Sequence, residues 1–455
     1  MDYDLLVLGS GSAAFGAAIE ARSLGASVAM VERGTLGGTC VNVGCVPSKT
    51  LLAAAAVAAQ ARSHPFDGID ITHAHVDLGR LVEQKNELVT GLRAAKYADV
   101  AAAHGIALLH GNARFIDERT VAVDEQHLAV GAVVIATGAE PAIPAVPGLD
   151  SVDYLTSTSA MELQTLPARL AVVGAGFVGV EQAQLFAGLG SRVSLVGPLL
   201  STAEPELVSM LSEALRAAGV ERCGTKAVAV EQTPDGVLVR CEDGSTAVGD
   251  RVLVATGRRP RTPDLHAERA GIELDDRGHI KIDNTQRTTN PNVFAAGDVA
   301  TGPQFVYVAA TMGRIAARNA LTGSSSEVDY TGLPHVAFTS PQLAWSGLTE
   351  AEARQHGHSV DTRTLTLDQV PRAIVNRDVR GAIKLVVDAE SHQLLGAHVL
   401  ADHGGELLYA ATIAIKAGWT VEQLADTWAP YLTMAEGIRI AAGLFRNELP
   451  TSCCA

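Results

Sequence analysis

Six cysteines stand in the 455-residue chain, and four of them fall into two close pairs. Cys40 and Cys45, separated by four residues, lie in the run Gly37-Gly38-Thr39-Cys40-Val41-Asn42-Val43-Gly44-Cys45-Val46-Pro47-Ser48-Lys49. Pro47 suits the first turn of a helix, so the pair should meet the positive end of that helix, a field that lowers a thiolate pKa. Two such thiols can form a disulfide. A zinc site would need two more ligands at matching spacing, and none stands nearby. Lys49 is placed to stabilise negative charge beside them. Purely structural cysteines are the bland alternative, and the composition of the whole run argues against it. The second pair, Cys453 and Cys454, ends the chain as Thr-Ser-Cys-Cys-Ala. Adjacent thiols on a terminus can chelate a soft cation or form a strained, easily reduced disulfide. The alternative is an accidental pair at a frayed end. Cys223 and Cys241 show no partner pattern and read as buried apolar residues. The 14 histidines form no ligand set, and His335 and His398 lie in apolar surroundings that suit packing.

Positioning such thiols is work for a large α/β frame. The length predicts about three domains. Two segments repeat one plan of apolar strand, glycine turn and helix: Tyr3 to Ala14 with Gly9 and Gly11, and Leu170 to Gly179 with Gly174, Gly176 and Gly179. Such turns bring backbone N–H groups to a pyrophosphate at a helix N-terminus. After the first, the strand Val28 to Val31 ends at Glu32, spaced to accept the ribose hydroxyls of an adenosine. After the second, Arg192 to Val196 ends at Gly197. The missing carboxylate removes a repulsion against a 2′-phosphate and favours NADPH, with NADH still possible.

Two Ala-Thr-Gly strand ends, at Thr137-Gly138 and Thr256-Gly257, repeat the symmetry, and Val293 to Asp298 supplies a further strand. These features predict one nucleotide-binding domain over 1–150 and 280–330, a second over 151–279, and an α+β domain over 335–455. The formal net charge of −15 argues against nucleic acid or an anionic membrane as partner. No apolar run approaches the roughly 20 residues of a membrane span, and the N-terminus lacks the positive charge of a secretory signal. A cytoplasmic protein is expected.

Together the thiol run, both glycine turns, both Ala-Thr-Gly strands and the Ala-Ala-Gly-Asp segment closely resemble the pyridine nucleotide-disulfide oxidoreductases over essentially the whole chain. The resemblance implies two Rossmann-like domains, for FAD and NADPH, with a C-terminal dimerisation domain and an active site shared across a homodimer. It implies that Cys45 lies against the flavin while Cys40 exchanges with substrate, that Asp298 holds the ribityl chain and that Glu181 pairs with Lys49. It also assigns cofactor contacts to Gly9, Gly11, Ala14, Glu32, Gly34, Gly38, Thr39, Lys49, Ala113, Thr137, Gly138, Gly174, Gly176, Gly179, Gly257, Asp298 and Val306.

Within that family, members that reduce organic disulfides carry a His-Pro-Thr-x-x-Glu near the C-terminus. Aligning Glu436 puts Tyr431 in place of the histidine. A phenol, with pKa about 10, does not reprotonate a leaving thiolate near neutrality as imidazole does. It can instead contact a metal ion or simply pack at an interface. Tyr431, the Cys-Cys tail, the stretch Arg363 to Ala373 and Tyr154-Leu155-Thr156-Ser157-Thr158 are similar to the mercury-reducing branch. That branch implies Hg(II), arriving as thiol complexes, as the substrate. It implies Tyr154 and Tyr431 as guides to the ion, and Cys40, Cys45, Cys453 and Cys454 as its ligands. A disulfide reductase using the C-terminal pair, of the thioredoxin reductase kind, is the alternative. Many members of the branch begin with a small metal-binding domain carrying Cys-x-x-Cys, whereas this chain starts at the flavin domain.

Overall fold

A computed structural model describes residues 1–447 apart from His73, so Cys453 and Cys454 lie outside the described residues. The fold is α/β, with two nucleotide-binding layers and a third, α+β layer.

Apolar runs with no alternation build the first sheet. Tyr3–Leu8 pairs in parallel with Val28–Glu32 on one side and with Gln126–Ile135 on the other. Ala107–His110 closes one edge and Val293–Ala295 joins the far side of Gln126–Ile135. Leu5, Leu6 and Val7 are fully buried, as strands covered on both faces must be. One cover comes from the crossing of helices Ser12–Ser23 and Val306–Thr322. A Cβ on Gly313 would lie 2.0 Å from the Ala13 carbonyl oxygen, so only glycine admits this approach. The chain returns to this layer earlier than its sequence suggests. Leu265, Ala267, Ala270 and Ile272 pack in the first core, which moves the boundary expected at residue 279–280 back to about Thr262. These short 3₁₀ turns carry no strand periodicity that would mark them as part of the first layer.

The second sheet is wholly parallel, in the order Val220–Cys223, Arg192–Val196, Arg169–Val173, Arg251–Val254, Tyr154–Thr156. An antiparallel sheet of Ala227–Thr233, Gly236–Cys241 and Thr246–Gly249 packs on it. A short pairing of Ala139–Pro141 with Arg258–Pro260 links the two nucleotide-binding layers.

The third layer is a five-stranded antiparallel sheet ordered Pro334–Ala337, Gln342–Gly347, Leu394–Ala401, Ala382–Asp388, Val360–Thr366. It is covered by helices that include Gly404–Lys416 and Glu436–Gly443. Lys384 rivets it to the second layer. Its buried Nζ lies 3.0 Å from Glu204 Oε2, 2.6 Å from Glu206 Oε1 and 3.0 Å from Glu350 Oε2. Those three carboxylates hold the ammonium charged, with its pKa well above the usual lysine value despite burial.

One expectation needs correction. By length and composition the run Gly38–Arg62 is apolar enough to cross a membrane. It is broken at Gly44 into helices Gly38–Val43 and Cys45–Arg62, and Leu51 and Ala55 of the longer one belong to the core shared with helix Phe177–Leu189. A Cβ on Gly188 would stand 3.0 Å from Ala55 Cβ.

Candidate functional site

Gly44 decides where the thiols sit. Its backbone, at φ −126° and ψ −111°, ends one helix and starts the next, which leaves Cys45 at the first position of an 18-residue helix. The Cys40 thiol hydrogen-bonds to Cys45 sulfur. That bond, with the positive charge of Lys49, brings the Cys45 thiol down to about 7 against the opposing effects of burial and Glu181. Cys40 is pushed up, first by being the donor in that bond and then by burial. The pair is therefore asymmetric, with the thiolate on Cys45.

Lys49 is itself held. Its Nζ lies 2.6 Å from Glu181 Oε2 and 4.5 Å from the centre of the Phe338 ring. Glu181 is buried, and its other oxygen accepts the Phe338 backbone N–H at 3.1 Å. All three layers thus meet at this lysine.

Tyr97, which belongs to no motif, stands near the thiols. Its phenol is pushed above the ordinary tyrosine value, first by burial and then by the charges of Cys40 and Cys45, against a hydrogen bond with Ser12. Its ring meets Phe15 edge-on at 5.0 Å, and a Cβ on Gly37 would come within 3.3 Å of it. Tyr97 sits in a π-helical turn, Ala94–Ala98, a feature frequent at functional sites and without a hydrophobic period to reveal it. Tyr154 pairs with Val252 at the sheet edge and packs half-buried on the core beneath the antiparallel sheet; like Tyr97, it is not among the described residues lining the cleft.

Tyr431 is half-exposed and precedes Leu432, whose φ is +59°. Glu436 is the buried first residue of helix Glu436–Gly443 and faces Arg439 at 3.5 Å. Neither is among the described residues lining this protomer's cleft. His335 stacks on Trp345 with ring centres 4.9 Å apart, and His398 Nε2 lies 3.0 Å from the Leu348 carbonyl oxygen, as packed histidines do.

The cleft, of about 1590 Å³, runs from Cys45 and Lys49 past Gly174, Gly176, Gly197, Gly257 and Lys226 to Val306. Its floor is the second glycine turn. Gly174 has φ +106°, and a Cβ on Gly179 would fall 1.8 Å from the Gly174 carbonyl oxygen, so the turn and the helix beginning at Phe177 can touch only through glycine.

A second cavity of about 310 Å³ joins Gly9, Gly11, Glu32, Gly38, Thr39, Ala113, Thr137 and Gly138. Gly9 has φ +115°, and a Cβ on Gly38 would lie 2.6 Å from Gly11 Cα. The two glycine backbones therefore form an open cradle. Glu32 accepts the Gly34 N–H at 2.7 Å and the Ser10 hydroxyl at 2.5 Å, which fixes its carboxylate at the cavity. Ala14 is buried inside the first helix and supports the turn from behind. Asp298 is buried enough that its carboxyl is pushed above the usual range, with Arg258 Nε 3.6 Å away as a loose partner. That Nε is buried with no hydrogen bond. A buried acid and an orphaned donor beside a glycine cradle fit a polyhydroxylated, phosphate-bearing group such as FAD.

Family comparisons agree in extent. Residues 3–313 match the model described as pyridine nucleotide-disulphide oxidoreductase, and residues 333–442 match the dimerisation domain of the same name. A mercuric reductase from Streptomyces lividans is 50% identical over 100% of this chain and 98% of its own length. One from Bacillus cereus is 47% identical over 100% of this chain and 73% of its own. Among solved structures, the HOCl-induced flavoprotein disulfide reductase RclA from Escherichia coli has TM-score 0.87 at 30% identity, covering 97% of this chain and 100% of that one.

Proposed function

Because the chain belongs to the pyridine nucleotide-disulphide oxidoreductase family, whose members pair FAD with a pyridine nucleotide, we propose that it reduces Hg(II) to elemental mercury with NADPH. One observation carries this reading: an asymmetric thiol pair whose Cys45 lines the dinucleotide cleft, with the phenol of Tyr97 near both sulfurs.

When bound, FAD supplies the two-electron relay between pyridine nucleotide and thiols. The residues do the rest. The Cys40 hydrogen bond and then Lys49, itself fixed by Glu181, bring the Cys45 thiol down to about 7, so a large share of it is thiolate at neutral pH. Cys40 loses its proton only when a soft cation replaces it, so the pair becomes a bis-thiolate on binding Hg(II). Tyr97 remains a protonated donor and can hold a thiolate without competing for the metal. In this reading Tyr431 and Glu436 of the partner subunit complete the site of a homodimer, Tyr154 keeps a supporting place, and Cys453 and Cys454 deliver the ion. NADPH is favoured because Val196 is followed by Gly197 instead of a carboxylate, while Lys226 supplies a cation on the same cleft wall.

The test is mercury-dependent NADPH oxidation in excess thiol, compared with oxidised glutathione, lipoamide and thioredoxin. Turnover of an organic disulfide with none on mercury overturns the proposal in favour of a disulfide reductase.

A further inference from the structure

Cys223 and Cys241, unrelated by spacing, are brought together by the packing of two sheets. Cys223 ends the edge strand Val220–Cys223 of the parallel sheet, and Cys241 ends the middle strand Gly236–Cys241 of the antiparallel one. Both belong to the core between those sheets. The hairpin that follows Cys241 grips both: the Cys241 N–H donates to the Ser245 carbonyl at 2.9 Å, and Cys223 Sγ lies 3.7 Å from the Thr246 carbonyl oxygen. Burial first, and then the neighbouring Cys241 thiol, push the Cys223 thiol above its ordinary value. Cys241 is buried and Cys223 only half-buried, so one sulfur is the entry and the other the base.

We propose that Cys223 and Cys241 form a second soft-cation site, separate from Cys40 and Cys45, that holds a mercuric-type d10 ion as a two-coordinate bis-thiolate. Among the described residues no third histidine, cysteine or carboxylate completes a ligand cluster here. Two thiolates without further ligands suit a soft, linear ion and leave zinc under-coordinated. On binding, each thiol gives its proton to solvent, two sulfur–metal bonds form and the ion's former ligands leave, with no change of oxidation state.

The site is wired to the dinucleotide cleft. The Cys223 carbonyl accepts the Gly197 N–H at 2.9 Å, and Arg222 Nη2 donates to the Gly197 carbonyl at 3.1 Å. Gly197 has φ +122° and lines the cleft. The Lys226 carbonyl accepts the Glu242 N–H at 2.9 Å, which ties the cleft wall to the same hairpin. An ion between the sulfurs therefore moves the wall and weakens pyridine nucleotide binding. Because binding needs no turnover, this site stands or falls apart from the proposed reduction.

The experiment uses the full-length holoenzyme with C40A, C45A, C453A and C454A, reduced and desalted without oxygen, then dialysed against mercuric chloride with a competing monothiol. One equivalent of mercury should be retained, and tryptic digestion should give residues 223–226 bridged by mercury to residues 241–251. Adding C223S or C241S should lower retention at least tenfold, with flavin content and Tm checked to show that each variant folds. In the otherwise native enzyme, mercuric ion should raise KM for NADPH with a quinone acceptor, and the C223S/C241S double variant should resist that rise. No retention by the four-fold variant, or equal retention after C223S, overturns the proposal. So does an unchanged KM.

Discussion

Lys49 Nζ and Glu181 Oε2 stand 2.6 Å apart, and they bear in opposite senses on the Cys45 thiol, which the hydrogen bond from Cys40 chiefly brings down. The lysine favours the thiolate and the glutamate opposes it, so the two substitutions should act in opposite directions. Lys49→Met should raise the Cys45 pKa from about 7, and Glu181→Gln should lower it. The pH profile of iodoacetamide alkylation checks both. Near neutrality the Lys49→Met protein should be alkylated several-fold more slowly, since only the thiolate reacts.

Tyr97→Phe should leave the fold and flavin content intact, because the ring keeps its contact with Phe15. Mercury turnover should fall by about tenfold, the scale of one hydrogen bond to a charged group, if the phenol donates to a metal-bound thiolate as proposed. NADPH oxidation by a quinone should be unchanged, and an equal loss with both acceptors would point to structural damage.

Gly179→Ala forces a methyl to within 1.8 Å of the Gly174 carbonyl oxygen. It should cost about 1–3 kcal/mol, lower Tm and weaken NADPH binding. FAD content should stay near one per chain, since the flavin cradle lies in the other layer.

On the proposed NADPH preference, in which Lys226 offsets the extra phosphate, Lys226→Ala should raise KM for NADPH by about tenfold while leaving KM for NADH nearly unchanged. A matched rise for both nucleotides would remove Lys226 from the specificity argument.

Lys384→Met leaves Glu204 buried beside Glu350 and Glu206 without a counter-charge. Breaking such a cluster should cost about 3–5 kcal/mol, read as a fall in the urea midpoint.

Local features of the site were legible and distant ones were not. The two glycine turns, Glu32 and the run from Gly37 to Lys49 depend on residues that are neighbours in sequence, so their spacing alone signalled their chemistry. Tyr97 lies in a π turn, which has no hydrophobic period to mark it, whereas Tyr154 is marked by resemblance alone and packs half-buried on the core beneath the antiparallel sheet. The return of residues 265–272 to the first core, and the meeting of Cys223 with Cys241, are products of tertiary packing. A single sequence carries no period that announces either.

Lys384 also says something about motion. It joins Glu204 and Glu206, at the start of helix Pro205–Ala217, to Glu350 in the third layer. A swing of the dinucleotide layer as a rigid lid would pull carboxylates from a buried cation. Opening of the cleft must therefore come from small parts, such as side chains and the Gly197 corner, while the two layers travel as one body.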